Sequence, residues 1–102
     1  MTNLKYIWTY EFDPKDAELV SEKNRDLDAA IEKFPSKYPK LFPANMTGLC
    51  KGFRIIEADN ENQLINLVMF FFPLEKWELT PIMVGKSVSR SWREQLVSRS
   101  FL

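Results

Sequence analysis

The chain of 102 residues has no histidine, one cysteine and three glycines, and its 14 Lys and Arg are balanced by 14 Asp and Glu. Without histidine there is no Ser-His-Asp or Cys-His catalysis, no His-ligated zinc, no haem held by a protein histidine and no imidazole pH switch. The single cysteine, Cys50, can form neither an internal disulfide nor a multi-cysteine metal site. Gly48, Gly52 and Gly85 are too few and too scattered to write a P-loop or a dinucleotide fingerprint. Asp26 and Asp28 lack the glycine of a calcium loop. A net charge of zero argues against a protein that coats nucleic acid or a membrane surface. The longest unbroken apolar stretch, Leu67 to Leu74 with Pro73 counted, is far short of a membrane span. Met1 to Phe12 has neither the apolar run nor the cleavage pattern of a signal peptide. These absences lead us to expect a cytoplasmic protein with a reduced Cys50, no cofactor, no metal site and no recognisable catalytic group. The sequon Asn45-Met46-Thr47 then reads as a chance match.

What is present is core-forming material. Hydrophobic residues make up 45% of the chain and aromatic residues 14%, the composition of one folded soluble domain over residues 1–102. A chain of this size buries about two-thirds of its unfolded surface, enough for one core.

Leu4 to Phe12 reads as a first strand. Leu4, Tyr6, Trp8, Tyr10 and Phe12 share one face, and Lys5, Ile7, Thr9 and Glu11 the other. Asp13-Pro14 is a helix start with Asp13 as cap, and the helix should end near Phe34, ahead of Pro35. Its buried stripe is Val20, Asn24, Leu27, Ile31 and Phe34, with Asn24 the weak member. Residues 11 to 32 hold eight acids and three bases, which read as a solvated face.

Pro35 to Asn45 is expected to be a packed loop anchored by Tyr38, Leu41 and Phe42. Met46 to Cys50 and Phe53 to Ala58 read as the second and third strands, with Lys51-Gly52 as their turn. Asp59 or Asn60 caps a second helix with the stripe Leu64, Leu67, Val68 and Phe71, ended by Pro73. Lys76 to Val84 is a fourth strand, with Trp77, Leu79, Pro81 and Met83 on one face. Pro81 marks it as an edge strand or a bulge. A third helix, about residues 87–100, repeats Val88, Trp92 and Leu96 every four residues. Lys86, Arg90, Arg93 and Arg99 make it basic against Glu94 alone. We expect it to pack across the domain or onto a second subunit rather than on a membrane.

This order is the ferredoxin-like βαββαβ pattern, an α+β fold with a four-stranded antiparallel sheet, two helices on one face and an extra C-terminal helix. The strands carry apolar side chains on both faces: Trp8 and Ile7, Ile55 and Ile56, Leu79 and Ile82. An open apolar sheet face calls for a cover. The third helix or a second copy of the chain can supply it. Face-to-face pairing of two sheets would make a homodimeric α/β barrel. The charge also alternates along the chain: −5 over residues 11–32, +5 over 33–54, −4 over 55–85 and +3 over 86–102. Patches of opposite sign suit self-association.

Three segments carry a resemblance over residues 4 to 84. They are Lys5-Tyr6-Ile7-Trp8-Thr9-Tyr10-Glu11-Phe12, Glu57-Ala58-Asp59-Asn60 at the start of the second helix, and Trp77-Glu78-Leu79-Thr80-Pro81-Ile82. They resemble a family of small, mainly bacterial proteins, a domain of unknown function in the dimeric α/β-barrel group. The resemblance implies a homodimer with a small-ligand cavity between sheet and helices. Relatives in the wider superfamily include cofactor-free monooxygenases and haem-degrading enzymes. Those that use an axial histidine are no guide to a chain without one.

Three functional readings follow from the residues. The first is an accessory homodimer whose apolar sheet is interface. The second is a metal-free binder, or a monooxygenase-like enzyme, for a small apolar or anionic molecule. Its candidate ligand-binding residues are Trp8, Tyr10, Arg54 and Trp77, with Arg54 neutralising an anionic group. Against it stands the plainer view that the aromatics are core and Arg54 pairs with Glu11 or Glu78. The third is a single-stranded RNA-binding module, because Lys51-Gly52-Phe53 on the third strand resembles the RNP1 signature of RNA-recognition motifs. Arg54, Ile55 and Ala58 depart from that signature, and with zero net charge nucleic acid is not the expected partner. Cys50 is expected to be a buried structural thiol.

Overall fold

The alternation in the first strand and the two apolar helical stripes produce the layers they imply. A computed structural model of the chain describes residues 4–100, so the outermost residues of the expected 1–102 domain lie outside the described residues. β1 (Leu4–Phe12) leads through a single 3-10 turn (Pro14–Asp16) into α1 (Ala17–Lys33). A second 3-10 turn (Pro35–Lys37) precedes β2 (Lys40–Leu41), β3 (Asn45–Gly48) and β4 (Lys51–Ala58). α2 (Glu61–Phe71), β5 (Glu75–Ile82) and α3 (Gly85–Ser100) follow.

The fold is α+β, with five antiparallel strands and three α-helices among the described residues. β1 lies at the centre between β4 and β5, while β2 and β3 pair in succession along the outer edge of β4. The expected second strand, Met46 to Cys50, is β3, and an additional short strand, β2, lies within the stretch expected to be a packed loop. Pro43, which has no N–H for a ladder, stands between the two. Phe42 N still donates to Ile55 O at 3.0 Å. Lys51 and Gly52 belong to β4 rather than to the turn, which falls at Leu49 and Cys50. Cys50 is half-buried there rather than buried.

The caps form where the side chains allow. Asp13 Oδ1 accepts from Lys15 N at 2.9 Å, and this caps the 3-10 turn rather than the α-helix itself. Asn60 Oδ1 accepts from Gln63 N at 3.0 Å and starts α2. Gln63, a polar residue within the apolar pattern, is buried with both ends of its amide hydrogen-bonded. Its Oε1 accepts from Asp59 N at 2.8 Å and its Nε2 donates to Ser36 O at 3.1 Å, tying the loop to α2.

α1 and α2 cover one face of the sheet. Trp8, Tyr10 and Ile56 from the strands meet Val20, Leu27, Leu67 and Phe71 from the helices in the core. The Trp8 ring packs on Tyr10 at 5.1 Å and on Phe71 at 5.6 Å between centroids. Of the α1 stripe, Val20 and Leu27 are buried, whereas Asn24 and Phe34 are exposed.

The other sheet face stays open. Ile7, Thr9, Phe53, Ile55 and Ile82 lie on it by register, with Lys5 paired to Glu57 at 3.4 Å. α3 does not cover it. Every described side chain of α3 is exposed, and the molecule extends over 60 × 30 × 20 Å. Packing of α3 within the same chain, one of the two arrangements expected for it, is not what the structure has.

Candidate functional site

The candidate site grows from one position, the middle of the central strand. Residues of β1 that face the helices have a neighbour on both sides, so the cross-strand rows there are long. Trp8 stands between Arg54 of β4 and Leu79 of β5, and Tyr10 between Gly52 and Trp77. Phe12 stands opposite Glu75 at the start of β5. Trp8, Tyr10, Arg54 and Glu75 thus converge on one cavity of about 180 Å³, with Asn24 and Asp28 of α1 at its rim.

Gly52 makes this arrangement sterically possible. A Cβ on Gly52 would meet the Asn45 carbonyl oxygen and would lie 2.9 Å from the Tyr10 hydroxyl. With no side chain there, the Tyr10 ring crosses β4, and its hydroxyl donates a weak hydrogen bond to Met46 Sδ at 3.7 Å. Met46 is itself the register partner of Gly52.

The polar groups of the cavity are poorly satisfied by the protein. Trp8 is 2% exposed and its Nε1–H is buried without a partner among the described residues. Glu75 Oε1 is likewise buried and unpartnered. Burial pushes the Glu75 carboxyl up from the ordinary 4.5 to about 7, so near neutrality it holds its proton about half the time. Tyr10 is also raised, chiefly by burial, with Arg54 opposing the shift and Glu75 adding to it. Arg54 Nε donates to Phe42 O at 2.7 Å, which fixes the guanidinium plane, and its terminal nitrogens have no partner among the described residues. The expected pairing of Arg54 with Glu11 or Glu78 does not occur. Both acids lie on the opposite face of the sheet, Glu11 across from Lys51 and Lys76 and Glu78 across from Thr9.

Of the four residues singled out from sequence, three come together here: Trp8, Tyr10 and Arg54. Trp77 shares their face, but β5 is an edge strand, and this side chain is 45% exposed. It lines another groove, of about 380 Å³, which shares Tyr10 with the inner cavity. Glu75 escaped the sequence reading, though it lies two residues before Trp77 and so on the same face. A wider groove of about 760 Å³ runs between the C-terminal half of α1, the loop after it and the start of α2. It shares Asp28 and Arg54 with the inner cavity.

No family model, no curated protein and no solved structure matches the chain. The site must therefore be read from its own chemistry. Among the described residues no cluster of three His, Cys, Asp or Glu could hold a metal ion. Among the same residues no helix is long and apolar enough to cross a membrane. Phe53 of the RNP1-like segment lies on the open face, whereas the β1 aromatics Tyr6 and Trp8 face the helices and offer it no stacking partner there. The residues that line the cavity carry an indole N–H donor, a guanidinium held in place, a phenol and a carboxyl that titrates near neutrality.

Proposed function

We propose that the protein binds a small polar molecule, without a metal, in the cavity between sheet and helices. One observation carries this reading: Trp8 Nε1 and Glu75 Oε1 are both buried, both unpartnered and both on residues that line that cavity. A buried polar group left unsatisfied costs about 1–3 kcal/mol, and folded proteins retain few of them. A bound molecule that supplies the missing hydrogen bonds recovers that cost as affinity. The test is a titration of the ¹⁵N-labelled protein with a fragment set of mixed charge, following the indole N–H resonance of Trp8, assigned through Trp8→Phe. Fragments that shift this resonance saturably are the expected result. A folded protein whose Trp8 resonance no fragment moves overturns the reading.

We further propose that the chain is of the ferredoxin-like class and forms a homodimer. Support for the first comes from counting β2 and β3 as one interrupted strand, which turns the sheet order into that of a split βαβ pair. Support for the second comes from two surfaces left uncovered, the open sheet face with Ile55 and Ile82, and the row Val88, Trp92 and Leu96 along α3. α3 carries Lys86, Arg90, Arg93 and Arg99 against Glu94, and α1 carries Glu18, Glu22, Asp26, Asp28 and Glu32. The basic arm of one copy then lies on the acidic flank of another while the sheets face each other, as in a dimeric α/β barrel.

A further inference from the structure

We infer that the ligand of this cavity is a small carboxylate, whose oxygens accept from the Trp8 indole N–H and from the terminal nitrogens of Arg54. The inference rests on the binding function proposed above and adds the chemical class to it. Two residues that line the cavity carry donors that find no acceptor among the described residues. Indole nitrogen can only donate, and so can guanidinium. Trp8 Nε1 has no partner, and the one bond of Arg54, from Nε to Phe42 O, leaves the outer fork of the guanidinium open. A carboxylate matches that fork in shape and charge and accepts several bonds at once.

Other ligand classes leave a group unsatisfied. An ammonium would face the Arg54 charge and give Trp8 Nε1 nothing to donate to. A neutral amide could accept through its one carbonyl oxygen but would leave the guanidinium charge uncompensated. The negative groups at the site oppose an anion only weakly at pH 6. Asp28 is exposed at the rim, and Glu75, raised to about 7 by burial, is mostly a neutral acid that can itself donate to the ligand. Size narrows the class further. The cavity holds the volume of about six water molecules and lies below the range typical of drug-sized ligands. A short-chain or single-ring acid fits that space. Exposed Asn24, Asp28 and Met46 leave it open to solvent on the side of α1 and β3.

The test compares three probes of one shape, benzoate, benzamide and benzylamine, with acetate and butyrate as smaller acids. Each is titrated at pH 6 into the full ¹⁵N-labelled chain, with the Trp8 indole N–H and the dissociation constant as readouts. The expected result is benzoate or butyrate binding about 10- to 100-fold more tightly than benzamide, the worth of charge-assisted hydrogen bonds. Benzylamine should leave the indole resonance in place. Arg54→Gln should bring the acids down to the amide level, and Arg54→Lys, which keeps the charge but loses the fork, should fall between them. If Arg54→Gln does not fold, Arg54→Lys and the probe series decide the matter. Binding of benzamide or benzylamine in preference to the acids overturns the carboxylate assignment and leaves the binding function standing. Failure of all five probes to move the Trp8 resonance of the folded protein overturns the carboxylate assignment, and the binding function falls only if the mixed-charge fragment set fails as well.

Discussion

Replacing Glu75 with Gln removes a charge while keeping the side chain's length, and its effect should depend on pH in a direction the cavity dictates. The Glu75 carboxyl titrates at about 7 in the folded protein against an ordinary 4.5. Between those two values the unfolded chain gives up the proton and the folded chain keeps it. Stability contributed by the protonated group is therefore whole below about pH 4.5 and is lost as pH rises through about 7. The full interval would be worth about 3 kcal/mol at 1.36 kcal/mol per pH unit. Part of Glu75 is open to solvent, which screens the charge and brings the loss to about 1–2 kcal/mol. Glu75→Gln has no proton to lose. Its stability relative to the parent should rise by about 1–2 kcal/mol between pH 4.5 and pH 8, on the order of 5–10 °C in Tm for a domain of this size. Urea unfolding at fixed protein concentration at pH 4.5, 6, 7 and 8 measures this directly. A stability difference that stays constant across that range would refute the reasoning, because the carboxyl would then be solvated in the folded state.

Gly52→Ala places a methyl group against the Asn45 carbonyl and the Tyr10 hydroxyl. It should destabilise the domain by about 1–3 kcal/mol, as overpacking does, and shift the Tyr10 and Met46 resonances; an unchanged Tm contradicts the close approach described. Trp92→Glu puts an acid in the middle of the exposed apolar row of α3. Light scattering should show the parent as a dimer at micromolar concentration and the variant as a monomer with the same circular dichroism. A parent that is monomeric, or a variant that remains dimeric, rules out the α3 contact.

Local patterns carried far in this chain. The alternation of β1 assigns Trp8 and Tyr10 to one face and Ile7 and Thr9 to the other, and the structure keeps that assignment. Asp13 and Asn60 announce their caps because a short acceptor side chain ahead of an apolar stripe has few other uses there. Gln63 gave no such warning. Its burial depends on the Ser36 carbonyl, 27 residues away, which no local pattern contains. Glu75 was hidden for a similar reason, since an acid at the start of an edge strand is ordinary until the fold buries it beside the cavity that Trp8, Tyr10 and Arg54 also line.

By itself the sequence determined which side chains share a face, where the helices start, and which chemistries the missing histidine and the lone cysteine remove. Those are properties of short spans, fixed by backbone period and by composition. Only the tertiary structure decided which face position is deep. Trp8 and Trp77 read alike in sequence, both aromatic, both in strands and on the same side. Trp8 is 2% exposed because β1 has a strand on each flank, and Trp77 is 45% exposed because β5 has one. Long-range pairing set that difference, and with it the meeting of Arg54, Trp8 and Glu75 at one cavity.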